Sequence, residues 1–515
     1  MISAEKTQAH APVPAAETRD DTDIEIVDWD GPDDPANPYN WPKAKKCIIT
    51  AVALFATFTT MMNGTILTVA HEAINTEFHV SDAHFPHSYW PVTSWALGGS
   101  LFSFIVLPLM EDFGFRPAFL GTYLAFIVFL VPTAVARNFA TLVATRFVGG
   151  GCVAILANST SSVIGNVWAG DRARTLPMSL WIALYLAGSS GGPVVGAAIH
   201  ARLPSWRWIA YCELAWYGAA FPLYLLLLPE SRGAVVLAGR AAALREGRGG
   251  RPNAFTAAEL EARGTRLSVA ARVLDSARRP LCMLLTEPVC MVCTLMAGLI
   301  IGNTYLFTQS AEQVFAALYG FDPVAAGYAQ AAVVAGEAVG WLLSLLSARL
   351  YFASAARNVE VPGTPIPEAR LYVAIPAGFV GMAGGMFVYG WTSWASVPWI
   401  APAVGLAMVG AGNTVVIIGF ADYVVDAYAK YAGSSMGAVA LGENIFAAFL
   451  PLAAQPMYTN LGFQWASSLL GFVSLLLACA PVVLVIWGRK IRESSPFMKE
   501  AMLEKRMQSK VEGEP

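Results

Sequence analysis

The sequence predicts an all-α polytopic membrane protein of twelve transmembrane helices in two pseudo-symmetric six-helix halves. Three observations predict it. Of 515 residues, 56% are hydrophobic and 13% are charged, whereas soluble globular chains carry about 25% charged residues. Apolar stretches of the ~20 residues that a helix needs to cross the hydrocarbon core, with every backbone amide satisfied internally, recur along the chain. One long polar stretch, at 230–282, divides them six and six.

The expected spans are 47–70, 89–109, 118–136, 141–165, 176–199 and 208–229, then 284–308, 326–348, 371–390, 398–420, 434–456 and 465–487. The corresponding domain plan is an N-terminal tail (1–46), a first half (47–229), a basic central loop (230–282), a second half (283–487) and a C-terminal tail (488–515). Lysines and arginines of the short loops gather on the side of the tails, from Lys43, Lys45 and Lys46 to Arg489, Lys490 and Arg492. The opposite loops hold Arg137, Arg202 and Arg207. By the positive-inside bias both termini are cytoplasmic. The central loop carries ten arginines against five acids; it reads as a solvated connector, or as a surface for anionic lipid.

A net charge of −3 gives no basic excess for nucleic acid. Seven cysteines lie in or near apolar runs and read as small hydrophobes. Cys290 and Cys293 have half of a zinc-site spacing but no partner pair, so no metal is expected. No Ser/His/Asp set or phosphate-cradling loop stands out, so neither an enzyme nor a cofactor is expected. His71, His79, His84 and His87 cluster around the first external loop and read as solvated.

Several local patterns add detail. After the second span comes Pro108-Leu109-Met110-Glu111-Asp112-Phe113-Gly114-Phe115-Arg116-Pro117. In the fourth, Arg146 sits in Thr145-Arg146-Phe147-Val148-Gly149-Gly150. The fifth contains Gly188-Ser189-Ser190-Gly191-Gly192-Pro193-Val194-Val195-Gly196-Ala197, where small residues let a neighbouring helix approach and Pro193 removes a backbone donor. Trp206-Arg207-Trp208 opens the sixth, and Leu228-Pro229-Glu230-Ser231-Arg232-Gly233 follows it.

With the Asp28-to-Pro42 segment before span one, these patterns resemble the fungal drug:proton antiporter branch of the major facilitator superfamily, over residues 28 to about 490. The resemblance implies the major facilitator fold and a gating loop at Glu111, Gly114 and Arg116. It implies an antiporter motif at Gly188, Gly192, Pro193 and Gly196, and a proton-linked role for Arg146. The gating loop departs from the family pattern at Leu107 and Phe115. Its acid is expected to face the N-terminus of span eleven, at Gly433-Ser434-Ser435, where free amides favour negative charge.

Intramembrane polar residues are the default candidates for function. Glu337, mid-span eight, and Glu443, mid-span eleven, join Arg146 as proton-coupling candidates and as the charges expected well inside the spans. Arg146 either has an unidentified partner or snorkels outward. Candidates to line a substrate cavity are Asn63, Trp95, Asn303, Tyr305, Gln309, Asn413 and Asn444. Glu287, before Pro288, suits a helix N-terminus.

The resemblance implies a secondary transporter that exports a small organic molecule by proton antiport, the cargo being a drug, toxin, organic acid or other secondary metabolite. Uptake or exchange of a cationic solute such as a polyamine is the alternative, favoured by the paired glutamates. The expected partners are a small-molecule substrate, protons and the lipid bilayer, with the protein a monomer. The plasma membrane is the expected location, with the vacuolar membrane as the alternative.

Overall fold

The computed structural model describes residues 25–82, 86–203, 205–246, 251, 253–264 and 269–500, without the side chains of 104–113, 261–264, 269–277 and 430. The Glu111 side chain, His84 and the side chains of Arg248, Arg263, Arg266 and Arg272 therefore lie outside the described residues.

In chain order the helices are α1 (Lys43–Met62), α2 (His71–Phe78), α3 (Trp90–Phe113), α4 (Phe115–Ala134), α5 (Phe139–Val167), α6 (Asp171–His200) and α7 (Arg207–Leu227). Two short ones, α8 (Gly233–Glu246) and α9 (Ala257–Gly264), fall in the central loop. Then come α10 (Val269–Thr286), α11 (Pro288–Tyr319), α12 (Pro323–Ala329), α13 (Ala331–Ser354), α14 (Ala374–Pro376), α15 (Gly384–Thr392), α16 (Ile400–Tyr428) and α17 (Ala432–Ser494). A π-helical turn, Ala377–Ala383, joins α14 to α15. Two strands, β1 (Glu25–Ile26) and β2 (Ala254–Phe255), pair in parallel.

Among the described residues, ten segments are long and apolar enough to cross a membrane. One of them, α17, has 63 residues and would run ~95 Å if unbroken, far beyond a bilayer. Gly462, at φ 78° and ψ 162°, breaks it into two helices, a backbone conformation that favours glycine. With α3, of 24 residues, the helices accommodate the twelve expected spans.

Span one is shorter than expected, ending at Met62 rather than near residue 70. The amides of Asn63, Gly64 and Thr65 tighten onto carbonyls three residues back, which leaves the Asn63 and Gly64 carbonyls free to accept elsewhere.

Contacts divide the chain into two compact units, Met1–Asn37 with Gly233–Arg266 and Pro38–Arg232 with Leu267–Pro515. In the first, Val27, Ala241 and Ala254 form a small core. Thr256 and Glu259 form a reciprocal capping box at the start of α9, with bonds of 2.9 and 3.2 Å. Arg240 binds Asp30 and, at 3.0 Å, Asp34. Amides of Asp30 and Ala36, with that guanidinium, hold the Asp34 carboxyl below the usual carboxylate range.

The second unit is the helical body. Its helices touch along glycine seams, where a Cβ would collide with a neighbouring backbone: Gly98 and Gly150 between α3 and α5, Gly336 and Gly340 between α13 and α16. The start of α11, the end of α16 and the end of α17 meet on one side. There Glu287 accepts from Tyr428 at 3.3 Å and Ser495 at 2.7 Å, with Pro288 opening α11. We call this the terminal side.

Candidate functional site

On the opposite side the two halves are in contact. A Cβ on Gly327 of α12 would lie 3.1 Å from the Pro193 carbonyl and 2.9 Å from Ala197 of α6. Thr93 of α3 donates to the Ala448 carbonyl of α17 at 2.8 Å. The glycines of the fifth-span motif meet α1 and the turn that follows it on their other flank. A Cβ on Gly188 would lie 2.6 Å from the Phe58 carbonyl, one on Gly192 would strike Thr65 and one on Gly196 the Ile66 carbonyl. The motif is thus a wedge between α1 and the second half.

Two of the three coupling candidates sit at this wedge or just behind it. Ser190, inside the motif, donates to Glu337 Oε1 at 2.6 Å and so ties α6 to α13 across the halves. Glu337 is 1% exposed, and its Oε2 has no hydrogen-bond partner. Arg146 is 2% exposed and does not snorkel. Its guanidinium donates to the Asn63 and Gly64 carbonyls at 2.6 and 2.7 Å, to Asn63 Oδ1 at 3.0 Å and to the Pro91 carbonyl at 3.4 Å. An arginine centred in a span costs ~2.5–3.5 kcal/mol on insertion scales; carbonyls freed at the end of α1 offset that cost.

The expectation that Arg146, Glu337 and Glu443 are the charges deep in the spans needs correcting. Glu213 of α7 is fully buried. Its Oε1 accepts from Asn63 Nδ2 at 2.9 Å, and Asn63 Oδ1 accepts from Trp95 Nε1 at 2.9 Å. Asn63 therefore bridges the buried cation and a buried acid. The signal in the sequence was an acid several residues into an apolar run, close enough to Trp206-Arg207-Trp208 to pass for a loop residue. Glu312 of α11 was missed likewise, lying past the expected end of span seven. Its Oε2 is 3.5 Å from His71 Nδ1, so His71 is not simply solvated. His71, Glu72 and Glu312 bring their ligand atoms within 4.8 Å of one another.

Between the halves, a cavity of about 280 Å³ reaches the terminal side. Glu443 and Asn444 line it, with Trp95, Trp181 and Tyr185. At its mouth Arg370 pairs with Asp422 at 2.9 Å and Asp426 at 3.1 Å, three residues that fall just outside the expected spans 371–390 and 398–420. Of the seven expected lining residues, Trp95 and Asn444 line this cavity. Asn63 stands behind Trp95, and Tyr305 packs against its ring at 6.1 Å. Asn303, Gln309 and Asn413 do not line it; they are buried in the packed interior, and both polar atoms of Asn303 lack a hydrogen-bond partner.

The described part of the gating loop is held by the end of α7 and the residues just after it. Gly114, at φ 85°, separates α3 from α4. The amides of Phe115 and Arg116 donate to Glu230 at 3.2 and 2.9 Å, a carboxylate at a helix N-terminus. Arg116 donates to the Leu225 carbonyl at 3.0 Å.

The profile of the Major Facilitator Superfamily matches residues 53–451. The chain belongs to the Major Facilitator Superfamily. Similar proteins of this superfamily include the citrinin biosynthesis cluster MFS transporter mrr1 of Monascus ruber, 32% identical over 94% of this chain and 94% of that protein. Efflux pump atB of Aspergillus terreus is 30% identical over 96% and 97%. Among solved structures, the human organic anion transporter MFSD10 superposes with a TM-score of 0.54 at 18% identity, covering 86% of this chain and all of that one; this likeness concerns the fold. As a superfamily member related to fungal efflux transporters, the protein is a multi-pass membrane transporter and not an enzyme.

Proposed function

We propose that this transporter exports a small organic molecule, a secondary metabolite, by exchange with protons, and that it works as a monomer in the plasma membrane with both termini cytoplasmic. One observation carries the reading: the antiporter-type motif of α6 is bonded through Ser190 to the buried carboxyl of Glu337, 2.6 Å away, at the junction of the halves. A carboxyl at a junction that must open and close is where protonation can be exchanged for cargo. Similarity to a citrinin-cluster transporter and to an efflux pump supports export. The lysines and arginines near the chain ends support the orientation.

In this scheme the present state is open to the cytoplasm, ready to load cargo. Glu337 and Glu443 are the proton-coupling residues, and the Arg146–Asn63–Glu213 cluster supports them. The alternative, uptake or exchange of a cationic solute, draws on the Glu443 carboxyl that lines the cavity. Untargeted profiling of medium from deletion and overexpressing cells tests the reading. Export of at least one compound should rise with expression and collapse when a protonophore dissipates the proton gradient. Export unchanged by the protonophore rejects proton coupling, and accumulation inside the cells rejects export.

A further inference from the structure

The charges that face the cavity determine what it can hold. They lie at two depths. At the mouth, Asp171 and Arg174 open α6, and Arg370, Asp422 and Asp426 gather near the end of α16. Both arginines there have acidic partners: Arg174 lies 3.4 Å from Asp171, and Arg370 is held by two aspartates at 2.9 and 3.1 Å. Deeper in stands Glu443, some eleven residues into α17, or ~16 Å along the helix.

No cation lines the cavity at that depth among the described residues. Arg146, the buried cation of α5, turns away from it and spends its guanidinium on the Asn63, Gly64 and Pro91 oxygens. Aromatic side chains are plentiful instead. Trp95, Trp181 and Tyr185 line the same space as Glu443, the last two with centroids 5.6 Å apart. Met61 and Val153 add apolar wall.

An anion brought beside Glu443 would meet like charge with nothing to offset its lost hydration. A cation would gain a counter-charge and the negative faces of aromatic rings. We infer that the cavity binds flat, aromatic cargo bearing a positive charge, accepts neutral analogues less tightly and rejects organic anions, with Glu443 as the counter-charge. The inference rests on the proposed transport reading for the cavity's purpose. Its own content is the order of binding. An organic acid would then enter only in its neutral form.

Three naphthalene probes of one shape test the order on the purified full-length protein: naphthylmethyl-trimethylammonium, naphthylmethanol and naphthylacetate, titrated calorimetrically at neutral pH. The cation should bind on the order of tenfold more tightly than the alcohol, with the anion weakest. In Glu443→Gln the cation should lose its advantage over the alcohol. Equal or tighter binding of the anion overturns the inference, as does binding of none of the three. An unchanged order in Glu443→Gln overturns the assignment of the counter-charge. The wild-type order requires no variant, so a misfolded Glu443→Gln leaves the inference open to refutation. Proteoliposomes separate the two levels. If the order holds but the ammonium probe never crosses the membrane, the transport reading fails and the binding inference stands. If naphthylacetate crosses in preference, the reverse is true.

Discussion

At the scale of single residues, the proposed mechanism turns on a few buried charges and on what satisfies them. Glu337 has one oxygen bonded to Ser190 and one without a partner, so it can gain or lose a proton without breaking a closed network. Glu337→Gln keeps the shape and removes the titration. It should reduce net gradient-driven export by tenfold or more, the usual scale for loss of a proton-transferring group, while cargo exchange continues. Proteoliposome assays of net efflux and exchange read the two rates. Full net export by this variant would move the coupling role toward Glu443 or Glu213.

Glu77, outside the spans, offers a second residue-level test. It accepts from Trp206 at 2.7 Å and pairs with Arg207 at 2.6 Å. Partial burial works to raise its pKa, but the bonds from Arg207 and Trp206 outweigh that and lower it. A carboxyl depressed by folding stabilises above its unfolded pKa and loses that contribution as pH falls through the folded one. Glu77→Gln should therefore speed hydrogen exchange in α2 at neutral pH, with the difference from wild type vanishing under strong acid. An equal difference at both extremes would contradict this account.

Much of the residue-level picture was legible in the sequence, because an arginine or glutamate inside an apolar span is rare enough to stand out. Arg146, Glu337 and Glu443 were found that way. Glu213, Glu312 and the Arg370–Asp422–Asp426 cluster were not, since each lies near an expected span edge. There hydropathy cannot tell a buried acid from a loop acid, and the distinction depends on partners distant in the chain. Asn303 shows the opposite error: a polar residue in a span need not face the cavity.

At the scale of elements, α6 does the most. Its small residues let α1 and α12 approach on opposite flanks, and Ser190 points from the same stretch to Glu337. Gly192→Leu would drive a side chain into Thr65, with the Met62 carbonyl 2.8 Å from its Cβ. Overpacking of this kind typically costs ~1–3 kcal/mol, enough to prise the wedge apart without unfolding the helical body. The variant should reach the membrane in near-normal amounts yet lose most transport, as read by surface quantitation beside efflux. Wild-type efflux would remove the motif from the mechanism. The motif itself could be read from spacing and small residues, but its contact with Glu337 could not, because 147 residues separate the partners. Gly462 was legible only as a gap between spans; the structure shows it as a sharp break.

At the scale of the whole molecule, the fold followed from composition and periodicity, because the bilayer leaves a chain so poor in charge few alternatives. Which side is open did not follow, since both states of an alternating transporter satisfy the same hydropathy. The halves touch where α6 meets α12, while the cavity between them is lined at its other end by the start of α6 and the end of α16. In the proposed function, cargo leaves in exchange for protons. Its most direct test uses proteoliposomes enclosing a pH-sensitive dye, with the metabolite whose secretion rises on overexpression added outside. The account predicts that the interior becomes more alkaline as the metabolite enters and protons leave, and that this signal is lost in Glu337→Gln. Entry of the metabolite at an undiminished rate with no proton movement would contradict it.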